Sequence, residues 1–412
     1  MGKFMLELNF KVSARKMAGM LIILLFGWGI ISFLDVLWSA YSNYKSDSSK
    51  IIKSGHWGDI VTNDVLLDLP DELVVLPVSS KDTQWFFEGY TWAMVLDLLK
   101  SAQLSDQALH DWITETPKQH DIDGIRLMPT DQQILDLSPE SRSILYPILT
   151  GMSANADEKD IACFKEEMLN QQLQDSRLSQ KSIALLKRLL YRNPGSPLLI
   201  FSDWDVALRQ IPEEAEKRLF MKTLSRKPSL LVEIRITPDS NIDQLANYWG
   251  VGGRRKDIDP LLSSIKNLNT NVDLSLIYLL PAFVRDRIYT YPFPTSDGTG
   301  IKQDCFWTAF NTFNLTPDDK MCEMDYIAKT LEHGYYKIYE PSQLGDIICL
   351  SIGGKKVIHA AIFITTDIVF TKNGYDFTQP WVLMRKQDML DTYAARYPTS
   401  TLQSIYFRKR SI

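Results

Sequence analysis

The chain has 412 residues, 45% of them hydrophobic and 23% charged, and a net charge of −5. That length supports a sizeable core and predicts two or three domains. The acidic balance, with only a short basic tail at Arg408-Lys409-Arg410 and no basic aromatic stretch, excludes nucleic acid as the general partner. The four cysteines, Cys163, Cys305, Cys322 and Cys349, are too few and too scattered for a disulfide framework, and no CxxC pair marks a zinc site.

In chain order, the first element is the apolar run Met17 to Trp38, in which Asp35 is the one charge. It is long enough to cross a hydrocarbon core as a helix. Lys3, Lys11, Arg15 and Lys16 precede it, which keeps the N-terminus cytoplasmic and places the bulk of the chain outside the cytoplasm, periplasmic in a cell with two membranes. A cleaved signal peptide is the alternative, although Trp38 fits a small-x-small cleavage site before Ala40 poorly. The polar stretch 42–55 reads as a juxtamembrane linker.

Residues 56–288 read as a mainly helical domain of unknown role. Asp82 or Thr83 is placed to cap a helix through Trp85, Tyr90, Met94 and Leu98. Ser179 is placed to start another, with Ile183, Leu186 and Leu190 on one face and Asn193-Pro194-Gly195 as its stop. Pro212 suits a first helical position before Glu213. One strand is expected, Leu230 to Thr237, because its end alternates apolar and charged residues. Asp239-Ser240-Asn241 then caps a short helix to Trp249, and a glycine-rich basic turn, Gly250 to Lys256, leads into a helix from about Ile258 to Ile265. That turn reads as a solvated connection; its glycines follow a helix and lack the Gly-Lys-Ser/Thr ending of a phosphate loop.

The pattern changes in residues 289–412. A turn-rich loop, Tyr291 to Gly300, precedes a helix from Cys305 to about Phe313. Strands follow at Asp346–Ile352, Val357–Thr365, Ile368–Thr371 and Trp381–Arg385, the first two joined by Gly353-Gly354-Lys355. A helix followed by an antiparallel meander is an α+β pattern.

The chemistry suggested is that of a thiol. Asp304 as N-cap puts Cys305 in the first helical turn, where the helix dipole favours a thiolate and backbone N–H groups can bind an oxyanion. His359 begins a strand beside Ala360 and Ala361, small residues that let a helix approach. Such a His could serve Cys305 as general base and then general acid. Thr371 or Asn373 on the following strand could orient the imidazole, whereas a protonated Lys372 has no acceptor to offer. Cys322, Cys349 and His333 read as packing or structural residues.

The order Asp304-Cys305, Gly345-Asp346 opening a strand, and His359-Ala360-Ala361-Ile362-Phe363-Ile364 resembles the NlpC-type cysteine peptidases of the papain-like clan. The resemblance covers about residues 289 to 396. It implies a papain-like fold with Cys305 as nucleophile, His359 as base and no metal or cofactor. Thr371 stands where the family has its third polar residue, usually a His. Asp304 matches the acidic residue before the nucleophile, and Tyr291 stands where the family often has a Tyr. The chain departs from the family in having Phe306-Trp307 in place of Ser-Gly, which narrows the pocket; Trp307 thereby joins Asp304 and Tyr291 as a candidate on the substrate side. The substrate class implied is a cell-wall peptide amide. Two alternatives stay open: an acyltransferase or amidase on a lipid or protein substrate, and a catalytically inactive envelope scaffold that docks a protein partner through the helical region.

Overall fold

The computed structural model describes residues 50–76, 82–155, 161–292 and 303–410. The expected membrane helix at Met17–Trp38 and most of the Tyr291–Gly300 loop lie outside them. Among the described residues, no helix is long and apolar enough to cross a membrane.

The chain is mixed α+β, and its apolar side chains gather around two main cores. The first takes residues from Trp85 to Leu224, joined by Ala395. Eight helices build it: Trp92–Ser101, Asp106–Thr114, Asp131–Leu135, Pro139–Gly151, Glu166–Asp175, Gln180–Leu189, Trp204–Gln210 and Glu214–Leu224, with two small sheets, one of β3 (Trp85–Glu88), β4 (Lys118–Asp121) and β5 (Gly124–Leu127) and one of β6 (Ala162–Phe164) and β7 (Leu199–Phe201). Ser179 caps the sixth as expected, its side chain accepting the Ser182 N–H. The expectation around Trp85 fails. Trp85–Glu88 is a strand, and the helix starts at Trp92 under a Thr91 cap. The physical reason is Gly89, whose φ of 74° breaks the chain direction so that a new helix must nucleate after it. At the centre of this core, the Arg142 guanidinium meets the Asp203 carboxylate at 3.2 Å.

The second core joins two antiparallel sheets. One has the order β1 (Lys50–Gly55), β2 (Gly58–Leu67), β8 (Lys227–Ile236), β9 (Val272–Ser275). Its β1 falls inside the segment read as a linker. The other has the order β10 (Tyr335–Ile338), β15 (Leu402–Lys409), β11 (Ile347–Ile352), β12 (Lys356–Thr365), β13 (Ile368–Lys372), β14 (Trp381–Arg385). Ile60, Ile234, Trp249 and Phe283, from the region read as helical, share one apolar cluster with Phe310 and Ile362. Ser229 ties the sheets, accepting from Leu383 N–H and donating to Leu383 O.

Side chains alternate across the six-stranded sheet, as the strand period requires. Ile347, Cys349, Ala360, Ile362 and Phe370 meet the helix Cys305–Phe310 on one face. Ile348, Leu350, Ala361, Phe363 and Val369 meet the helix Lys386–Arg396 on the other, through Met389 and Tyr393. The Gly345-Asp346 pair sets the start of β11. Gly345 has φ 97°, and a Cβ there would run into the Phe313 ring. The Asp346 carboxylate accepts the Ser342 and Gln343 N–H groups at 2.8 and 2.9 Å and pairs with Arg408 of β15 at 2.7 Å.

Candidate thiol site

Asp304 caps the helix as the sequence suggests, its Oδ1 accepting the Trp307 N–H at 2.9 Å. The helix runs only from Cys305 to Phe310, and all its residues are buried. The Cys305 side chain, on a residue 5% exposed, shares an apolar cluster with Ala360 of β12. Its ionisation goes against expectation. Burial pushes the Cys305 thiol up to about 12, and the Asp304 charge adds to the shift; the N–H groups of Ala360, Phe306 and Cys305 oppose it without prevailing. So short a helix offers little dipole to set against complete desolvation.

His359 is fully buried. It pairs with Leu350 across a register shift in the β11–β12 ladder, on the face covered by the Lys386–Arg396 helix. Its ring stacks on Tyr393 with centroids 4.2 Å apart. The Tyr393 hydroxyl is 2.7 Å from Nδ1 and the Thr371 Oγ1 is 3.0 Å from Nε2. Thr371 also reaches the Ala360 carbonyl at 3.4 Å. The consistent assignment has Nε2–H donating to Thr371, Thr371 donating to Ala360 O, and Tyr393 donating to Nδ1. Burial drives the imidazole down to about 3, with the Arg396 charge adding to it, so the ring is neutral.

Of the two candidate orienting residues, Thr371 bonds the imidazole. Asn373 does not; its Nδ2 lies 3.5 Å from the Met384 sulfur, and its buried Oδ1 has no partner among the described residues. The expected Cys305–His359 hydrogen bond is not among those of the described residues. The reason is that both ring nitrogens are committed elsewhere, and the thiol comes to the neighbouring residue from the opposite face. Two substrate-side candidates are also placed differently. Trp307 is 1% exposed, donates Nε1 to Asp319 Oδ1 at 3.2 Å, and lies between Phe283 and Trp381, as a core residue does. Tyr291 donates its hydroxyl to Leu67 O at 3.3 Å and packs on Leu69, Leu73 and Val74.

Two residues here went unassigned in the sequence reading. Tyr393 comes from a helix beyond the expected strands. Lys372 closes β13 and is 0% exposed, with Nζ donating to the carbonyls of Gly374 at 2.7 Å and Asp376 at 2.8 Å. Burial lowers it to about 8, while the charges of Asp376, Asp304 and Cys305 pull the other way. The signal for it is its strand, Ile368-Val369-Phe370-Thr371-Lys372, whose alternation sends Lys372 inward with Ile368 and Phe370. Cys349 lies within β11 and His333 bonds the Lys329 carbonyl at 2.7 Å. No group of three or more His, Cys, Asp or Glu among the described residues could hold a metal ion.

No protein-family model matches this chain, and neither the curated proteins nor the solved structures provide a match.

Proposed function

We propose that the C-terminal part of the chain, from about residue 289, is a papain-like thiol hydrolase that cleaves an amide bond, with Met17–Trp38 holding it to a membrane and the bulk of the chain outside the cytoplasm. One observation carries the reading. Cys305 opens an Asp304-capped helix and packs with Ala360 of β12, and the adjacent residue in that strand, His359, is bonded by Thr371. Cys305 and His359 thus approach neighbouring positions of β12 from opposite faces of the sheet, with Thr371 of β13 on the imidazole, in the chain order of the NlpC-type peptidases.

In this reading Cys305 attacks the amide carbonyl and backbone N–H groups at the helix start hold the oxyanion. The substrate class carried over from the resemblance is a cell-wall peptide. For His359 to receive the thiol proton, the imidazole must leave both Thr371 and Tyr393 and come to the face of the sheet that the Cys305 helix covers. That closed imidazole, together with the buried thiol, favours a second reading, an envelope interaction protein without turnover.

The test is amine release from peptidoglycan peptides and from a panel of peptide and lipid amides, using the full chain and its Cys305→Ala variant. Release that disappears in the variant is the expected result, and the preferred amide identifies the substrate class. No release from any amide, with no acyl adduct on Cys305 by mass spectrometry, leaves the interaction protein.

A further inference from the structure

We infer that the groove beside the helix Pro139–Gly151, at the seam between the first core and the C-terminal part of the chain, binds a neutral oligosaccharide. The inference goes beyond the hydrolase reading and does not depend on it.

The groove consists of two adjoining cavities that share Ser143. One, of about 380 Å³, lies at the seam itself, with Ser143, Pro147 and the 193–197 turn on one side and Asp391, Tyr397 and Pro398 on the other. The second, of about 560 Å³, continues past Glu140, Glu166, Asn170 and Lys187. Each volume is that of a small-ligand site, and seams between domains are a common place for one. Two in a row suit a chain of linked units better than a single small molecule. Pro147, Pro194, Pro197 and Pro398 stiffen the first cavity, so its walls need little ordering when a ligand enters.

The first cavity is rich in acceptors. Asn193, in its wall, is 8% exposed; its Nδ2 donates to the Ala395 carbonyl at 3.4 Å, and its Oδ1 has no partner among the described residues. A carboxamide oxygen orphaned at such depth is costly to keep unless something satisfies it. So long a bond to Ala395 yields the carboxamide readily to a better partner. Pro147 lies four residues after Ser143 within the helix and has no N–H to return to the Ser143 carbonyl, so the helical bond at that acceptor is missing. The Asp391 Oδ1 accepts from Gln387 Nε2 at 2.8 Å, which leaves Oδ2. Asp391 is also the one charged side chain lining this cavity. Acceptors in excess call for a ligand rich in O–H donors, and Tyr397 adds a ring that can take the C–H face of a sugar.

Other ligand classes fit less well. An anion would face Asp391, Glu140 and Glu166, and of the two cations in the second cavity Arg192 is already paired with Glu166 at 2.5 Å. A peptide added as a strand needs an open edge. β7, whose Leu199 lines the second cavity, pairs with β6 on one side; on the other, Ile200 exchanges backbone bonds of 2.8 and 3.1 Å with Tyr191.

The experiment is saturation-transfer NMR on the full chain with the N-acetylglucosamine tetramer, cellotetraose and maltotetraose, and with spermidine as the cationic rival, followed by titration of whatever binds. The parent is compared with Tyr397→Ala, Asp391→Asn and Ala394→Trp, each checked for an unchanged circular dichroism spectrum. Ala394 is exposed on the helix Lys386–Arg396 and lines the first cavity, so a Trp there fills the space without entering a core. At least one tetramer should bind the parent. Tyr397→Ala and Asp391→Asn should each weaken it about tenfold, and Ala394→Trp should abolish it. No transfer to any tetramer, a tetramer affinity unchanged in Ala394→Trp, or binding of spermidine in preference to every sugar each overturns the site.

Discussion

Arg142 and Lys372 are both 0% exposed, one in each core, yet the protein treats them in opposite ways. Arg142 sends Nε to Asp203, Nη1 to the Leu137 and Arg188 carbonyls and Nη2 to the Ile134 carbonyl, while Asp203 takes a further bond from the Tyr146 hydroxyl at 2.7 Å. Burial raises the Asp203 carboxyl, and Arg142 and Tyr146 draw it back. Lys372 has two carbonyls and no carboxylate. A buried charge with a full complement of partners fixes structure, whereas one with an incomplete set is free to exchange a proton.

The sharpest way to break this comparison is to remove both cations. Arg142→Met leaves Asp203 buried and unpaired, and should cost about 3–5 kcal/mol in urea unfolding. Lys372→Met replaces an amine without a counter-ion by an apolar chain of similar length and should leave stability unchanged or slightly higher. Equal losses would show that Lys372 is as structural as Arg142.

His359 carries the comparison into pH. Its folded pKa is about 3 against 6.5 for the free group, so below 6.5 the unfolded chain binds the extra proton. Its contribution to stability is then full above pH 6.5 and lost as pH falls toward 3, to a total on the order of 5 kcal/mol. Urea midpoints measured across that range should fall steeply for the parent and less steeply for His359→Gln. Parallel curves would mean that the imidazole is not held neutral.

The smallest effects concern the two buried tyrosine hydroxyls. Tyr146→Phe strips a bond from the Asp203 carboxylate and should cost about 2 kcal/mol, whereas Tyr393→Phe strips one from a neutral imidazole and should cost about 1 kcal/mol by thermal unfolding. Tyr393→Phe also frees Nδ1. Were His359 the base for Cys305, this variant would react faster with iodoacetamide at Cys305 than the parent; an unchanged rate would mean that it is not.

Local signals were read well from the residues. Asp304 and Ser179 cap the helices they were expected to cap, because a cap depends on only four consecutive residues. The hairpins from Ile347 to Lys372 follow from alternation, with Gly353-Gly354 in the first turn, and Thr371 was one of two residues named for the imidazole it bonds. What escaped depends on distant chain. β1 pairs with a strand inside the region read as helical, β15 returns to lie between β10 and β11, and Tyr393 reaches His359 from a helix with no marked periodicity. The ionisation of Cys305 was read with the wrong sign for the same reason. A helix start is visible in sequence, but the desolvation that outweighs it comes from everything folded around it.

The strand order β10-β15-β11 has a consequence for how the molecule assembles. The last described strand is an interior one, and β2 must find β8 across the whole first core. A ribosome delivers Trp85 to Leu224 as a continuous stretch able to condense early, while Ile60 and its neighbours wait for partners made later. The sheet carrying Cys305 and Lys372 can close only after β15 has emerged, so the thiol is sealed in the final stage of folding, and the slow step should be this long-range pairing.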